Sequence, residues 1–240
     1  MPRKSNRLAA ADRRRQILAV ATHLFARQGF RGTTTRQIAE RARVNEAIVF
    51  RHFPHKDDLY WAILDGKCRS AGGRQQLEAE LRAGADEEET FAAIAEGILQ
   101  RNTKDTSLTR LLLFSALEHH RLSHRFFRRH VAGYYEALAD HIRRRIRAGK
   151  MRRIDPRLAA RGFLGMVVYH FLIQELFGGR RYQKFDTRQV CRTLAQIWLA
   201  GMRPLQKQPG RRRRFQAVAT LAAERNRDFR ARRASIREGG

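Results

Sequence analysis

Between Thr33 and Lys56 the sequence TTTRQIAERARVNEAIVFRHFPHK has room for two brief helices and little else. Isolated helices shorter than about 12–15 residues are marginal in water, so each of these must be held by a partner. Thr34, with Gln37 three residues on, forms a capping box for the first helix. Ile38, Ala39 and Ala42 give that helix an apolar face at helical spacing. Val44 and Asn45 form the break, and Asn45 suits the N-cap of a second helix running from Glu46 to about His52. Ile48, Val49 and Phe53 are available to anchor it, which leaves Asn45, Glu46, Ala47, Phe50 and Arg51 nearer its outer side. A short helix held from behind, with outer residues near its N-terminus, has the geometry to enter a DNA major groove.

The preceding segment, Arg13–Phe30, places Ile17, Leu18, Ala21, Leu24 and Phe25 on one helical face and ends at Gly29, a residue suited to a left-handed C-cap. Residues 12–65 resemble the N-terminal domain of the tetracycline-repressor (TetR) family. The resemblance rests on ILxxAxxLFxxxGF at Ile17–Phe30, TT and IA within Thr33–Ala39, Val44, and FRHFPHKDDL at Phe50–Leu59. It implies a helix-turn-helix at about 34–53 inside a DNA-binding domain of 11–71. Thr33, Thr34, Arg36, His52 and Lys56 are then expected on phosphates, with Phe50 packed on the DNA backbone where the family often has Tyr. Asn45, Glu46, Ala47 and Arg51 are the candidates for base edges.

Charge agrees with a nucleic-acid partner. The chain carries a formal +27, and residues 1–56 hold 13 Lys and Arg against 3 acidic groups. Cations that neutralise phosphates release condensed counterions, so binding should fall steeply with salt. Of the 50 basic residues 43 are Arg, which genomic base composition alone could produce, and charge bears on partners rather than on fold. A second concentration lies in the C-terminal extension 205–240, where RRRR at Arg211–Arg214 precedes a short apolar face. Disorder, an extra basic helix and an added phosphate contact are three readings of this extension. The rival function is a non-specific basic nucleic-acid-binding or architectural protein without an effector.

The rest of the chain shows helical spacing and no alternating strand pattern, so the fold class expected is all-α. Helices are expected over about 56–81, 86–102, 105–120, 123–148, 156–178 and 187–203. Acidic residues 86–89 favour the start of the second, Ser123 is a candidate N-cap, and Asp155 with Pro156 suits a helix start. In the resemblance, 72–204 is a helical regulatory domain. Its last two helices, 156–178 and 187–203, pair with those of a second copy in a homodimer, and the others enclose a small-molecule effector pocket. Candidate lining residues are Phe91, Ile98, Leu112, Phe114, Phe127, Tyr134, Tyr135, Phe163, Met166 and Phe171, with Glu118, His119, Glu136, His170 and Glu175 as candidate polar groups. Effector binding would change the spacing of the two recognition helices and release a repressor from a pseudo-palindromic operator.

Other classes find little support. His120 and His124 have the i, i+4 spacing of a helical metal pair but lack a third ligand, so no metal site is expected. No nucleophile elbow, phosphate-binding loop or dinucleotide fingerprint is present, and neither an enzyme nor a cofactor is expected. No apolar run approaches the ~20 residues of a membrane span. The N-terminus lacks an apolar signal segment, and Cys68 and Cys191 are too few for a disulfide framework. A cytoplasmic setting follows.

Overall fold

The computed structural model describes residues 10–83, 86–118 and 121–204, and these are all-α. The helices are α1 (Ala10–Gln28), α2 (Thr35–Arg41), α3 (Glu46–His52), α4 (Lys56–Ala71), α5 (Gly73–Ala83), α6 (Glu87–Lys104), α7 (Ser107–Leu117), α8 (Arg121–Phe126), α9 (Ala132–Arg147), α10 (Pro156–Phe171) and α11 (Thr187–Met202). The basic extension 205–240 lies outside the described residues.

Local chemistry explains most of these boundaries. The caps at Thr34 and Asn45 form as expected, Asp86 accepts the Glu89 N–H at the start of α6, and Asp155 accepts from Arg157 and Leu158 ahead of Pro156. Two expectations need correcting. The single helix over 56–81 divides at Gly72, whose φ of +56° ends α4 in the left-handed region. Ser123 does not start a helix, because it lies within α8, which runs through a π-helical turn (Phe127–Val131) into α9. That turn is held from α4: the buried Asp65 accepts from Arg129 Nε at 3.0 Å and lies 3.1 Å from His130 Nε2. A second π turn (Leu172–Leu176) ends α10.

Two apolar cores result. The first gathers Ile17, Leu24 and Phe25 of α1, Ile38 of α2, Val49 of α3, and Leu59, Tyr60 and Leu64 of α4. It also takes Leu111 from α7 and Leu122 and Phe126 from α8, so helices well beyond the helix-turn-helix complete it. The second core is built by α5, α6, α9, α10 and α11 around an aromatic triad. Phe91 lies 4.4 Å from Trp198 and 4.9 Å from Phe163 between ring centroids, and Trp198 donates its indole N–H to Ala159 O.

α7 and its C-cap Glu118 grip the N-terminal segment through four long-range bonds. Arg110 Nε donates to Ala26 O at 2.8 Å, Tyr60 donates its hydroxyl to Leu111 O at 2.6 Å, the Glu118 carboxylate accepts the Arg31 backbone N–H at 3.1 Å, and the Arg31 guanidinium donates to Glu118 O at 3.4 Å. Gly29 makes this approach possible. Its φ is +75°, and a Cβ there would stand 2.2 Å from Glu118 Oε1.

Candidate nucleic-acid interface

α2 and α3 are placed by a turn that has no glycine. Arg43 takes the left-handed conformation instead, with φ +52°, at a cost that a non-glycine residue bears only where its surroundings hold it. Those surroundings are visible: Val44 N–H donates to Ala39 O at 3.0 Å, and Gln16 of α1 donates its side-chain amide to Ala42 O at 3.1 Å. Val49 is 1% exposed and anchors α3 on the first core. The same packing turns Ala47, Phe50 and Arg51 outward, with Phe50 43% exposed.

The expected contact residues divide into two groups. Asn45, Ala47, Phe50 and Arg51 are exposed along α3 and its N-cap, and Thr34 and Arg36 are exposed on α2 and its N-cap. Asn45 Oδ1 is committed to the Ala47 N–H at 2.9 Å, leaving its amide NH2 to face a partner. Glu46 is half-buried and accepts the Thr35 hydroxyl, while Arg36 pairs with Glu40 at 3.0 Å. His52 is half-buried at the end of α3.

Thr33 and Lys56 are turned inward to shape the corner. Thr33 is fully buried and donates its hydroxyl to Gly29 O at 2.9 Å. Lys56 Nζ donates to Phe30 O and Thr33 O, each at 3.0 Å, and lies 4.2 Å from the centroid of the Phe30 ring. Burial lowers the Lys56 pKa, against the opposing pull of Asp57 and Glu118. Two exposed residues were not anticipated. Arg41 and Arg43 flank the turn, and like Arg51 they have no ion-pair partner among the described residues. Their signal was the Arg-Ala-Arg run at the end of α2.

The expected pocket residues do not all meet in one place. Phe91, Ile98, Phe163 and Phe171 are buried in the second core, with Tyr134, Tyr135 and Met166 packed against it. Leu112 packs against the first core, and Phe114 meets Gly29 at the corner. Phe127 is 43% exposed on the π turn. Of the polar candidates, His170 and Glu175 line a cavity of about 30 Å3 beside Phe185, too small for an organic effector. Burial there lowers the His170 pKa, against the charge of Glu175. Glu136 pairs with Arg157 at 2.8 Å and Glu118 belongs to the α7 grip. His119 and His120 lie outside the described residues, and among those described no group of three His, Cys, Asp or Glu could hold a metal ion.

A short recognition-type helix presented by a three-helix unit, followed by a larger helical domain, defines a helix-turn-helix protein of the regulator class. The comparisons make this specific. A family profile described as "Bacterial regulatory proteins, tetR family" matches residues 17–63, and one described as "AefR-like transcriptional repressor, C-terminal domain" matches residues 90–201. The chain belongs to the TetR family.

It is similar to the HTH-type transcriptional repressor Rv3405c of Mycobacterium tuberculosis, with 48% identity over 65 residues, 27% of this chain and 32% of the relative. The match thus spans about a third of the length of such curated relatives. The solved structure of AibR in complex with isovaleryl coenzyme A and operator DNA has a TM-score of 0.59 at 22% identity, covering 77% of this chain and 97% of that one. FadR from Bacillus subtilis in complex with stearoyl-CoA has a TM-score of 0.61 at 18% identity, covering 78% and 98%. Likeness at these identities is one of fold. No described helix is long and apolar enough to cross a membrane.

Proposed function

We propose that this protein is a sequence-specific DNA-binding transcriptional regulator, a cytoplasmic non-enzymatic repressor released from its operator by a small-molecule effector. The observation that carries this reading is the outward face of α3, where Ala47, Phe50 and Arg51 stand clear of a buried anchor at Val49. Arg41 and Arg43, without ion-pair partners among the described residues, add cations beside it. Base edges are read by the Asn45 amide, Ala47 and Arg51, with Glu46 restricting the choice of base. Phosphates are met by Thr34, Arg36, Arg41, Arg43 and His52, with Phe50 packed on the DNA backbone.

One short helix reads few base pairs, so useful specificity calls for two copies on a pseudo-palindrome. Support for a homodimer through 156–178 and 187–203 comes from Leu158, Tyr169 and Ile197, which are 61%, 66% and 57% exposed on α10 and α11. A Cβ at Gly165 or Gly201 would meet nothing within 4 Å, so a second backbone can approach there. We assign residues 11–71 to DNA binding, 72–204 to regulation and dimerisation, and 205–240 to a basic extension. The coenzyme A thioesters carried by AibR and FadR support an organic effector.

Footprinting on DNA upstream of the protein's own and neighbouring genes, with random DNA as competitor, tests the proposal. A protected pseudo-palindrome, lost on Arg51→Ala, is the expected result. Equal affinity for random DNA, unchanged in that variant, would instead establish non-specific basic binding.

A further inference from the structure

A groove of about 530 Å3 opens between α1, the later part of α4, the end of α6 and the first turn of α7. None of the residues expected around an effector lines it. Its walls carry His23 and Arg27 from α1, Lys67 from α4, Lys104 from α6 and Arg110 from α7, against one carboxylate, Asp105. Asp105 already pairs with Lys67 and accepts the Ser107 N–H at 2.9 Å, so it answers only one of these cations. Arg110 commits Nε to Ala26 O and keeps its terminal nitrogens. Arg27 and Lys104 are exposed and have no ion-pair partner among the described residues. The apolar lining is limited to Ala19 and Ala26, whereas four hydroxyl side chains, including Thr103 and Thr106, complete the wall.

The volume falls within the roughly 300–1,000 Å3 of small-molecule sites, yet walls this polar do not suit an apolar ligand. Guanidinium and ammonium groups converging with hydroxyl donors suit phosphate oxygens, which accept several charge-assisted bonds at once. The cations come from four different helices, so one anionic group would not reach them all. We propose that this groove binds a small ligand carrying two or more phosphate groups, about the size of a nucleoside diphosphate. Its concave form fits a compact molecule better than a convex duplex. A ligand seated there joins α1 and α4, which carry the helix-turn-helix, to α6 and α7. That regulatory consequence rests on the function proposed above, whereas the binding itself does not.

The test is calorimetric titration of the full-length chain, without DNA, at about 0.15 M salt. ADP, pyrophosphate, inorganic phosphate and adenosine are the probes, and wild type is compared with Arg27→Ala/Lys104→Ala. Expected is saturable binding of ADP, one per chain, with adenosine silent and inorganic phosphate at least about tenfold weaker. The double variant should lose about tenfold or more in ADP affinity, which corresponds to losing one charge-assisted contact or more, and keep its thermal midpoint. Pyrophosphate equal to ADP supports a site that reads phosphates alone; ADP well above pyrophosphate supports a nucleotide. Inorganic phosphate equal to ADP, or a double variant equal to wild type, would overturn the proposal. So would random duplex DNA that displaces ADP and itself binds more weakly to the double variant, because the groove would then hold DNA backbone. Failure of the regulator reading would show separately, as operator binding indifferent to Arg51→Ala.

Discussion

Thr33→Val separates a residue that builds the DNA-binding unit from one that touches DNA. Valine has the shape of threonine with a methyl in place of the hydroxyl, so packing at this fully buried site is retained. What is lost is the 2.9 Å bond from the Thr33 hydroxyl to Gly29 O. A buried hydrogen bond contributes about 1 kcal/mol net, and a carbonyl left without its donor adds part of a desolvation penalty of about 1–3 kcal/mol. The extra apolar methyl offsets a fraction of this, which leaves an expected destabilisation of about 1–2 kcal/mol. In urea unfolding at fixed protein concentration, a slope of about 3 kcal/mol/M turns that loss into a midpoint lower by roughly half a molar, with the slope unchanged. Operator affinity per folded molecule should be that of wild type. A variant with unchanged stability but weakened DNA binding would refute the reasoning, because it would mean that the Thr33 hydroxyl faces phosphate.

Arg51→Ala should do the reverse, weakening operator binding by about 1–3 kcal/mol, or roughly 5- to 150-fold, while leaving the unfolding midpoint unmoved; titration by fluorescence anisotropy reads the first and urea unfolding the second. Ile197→Glu places a charge on the exposed face of α11 and should give a folded monomer at micromolar concentration in sedimentation, whereas a persisting dimer would place the interface elsewhere. Asp65 supplies a pH test. Burial alone would raise its carboxyl, but Arg129, Arg69 and His130 outweigh burial and hold it below the ordinary range. A carboxylate depressed in the folded state stabilises above its unfolded pKa of about 3.9, and that stability drains away as pH falls below it. Between pH 7 and pH 3, Asp65→Asn should therefore lose less stability than wild type in chemical unfolding, and equal losses would remove Asp65 from the acid response.

What could be read in advance was local. Thr34 with Gln37, Asn45, Gly29 and Asp155 with Pro156 are short-range devices, each completed within three or four residues, so their outcome needed no knowledge of the rest of the fold. Arg43 shows the limit: a left-handed turn residue is expected to be glycine, and here contacts from α1 and α2 impose that conformation on arginine. Ser123 looked like a cap because its neighbourhood is polar, but the hold of Asp65 on the π turn keeps α8 running into α9. For the site, the outward residues of α3 followed from helical periodicity. The burial of Thr33 and the inward turn of Lys56 did not, since both depend on a corner closed by Gly29 and Phe30, in the turn after α1. The aromatic set expected around a pocket is split for a related reason. Spacing shows which face of a helix is apolar, not which core receives it: Leu112 packs against the first core and Phe114 meets Gly29 at the corner, while Phe91 and Phe163 lie in the second core.

The grip of α7 has one more property. In each of its four bonds one partner is a main-chain atom: Ala26 O, Leu111 O, the Arg31 N–H and Glu118 O. Main-chain atoms persist whatever side chain their residue carries, so mutation at Ala26 or Leu111 leaves their attachments standing, and mutation at Arg31 leaves the one made by its N–H. Tyr60, Arg110, Glu118 and the Arg31 guanidinium are tied by their side chains. A junction of this kind lets the two halves of the chain accumulate substitutions at different rates and stay joined, and it marks a place where a head from one such protein could be spliced onto the body of another with few adjustments.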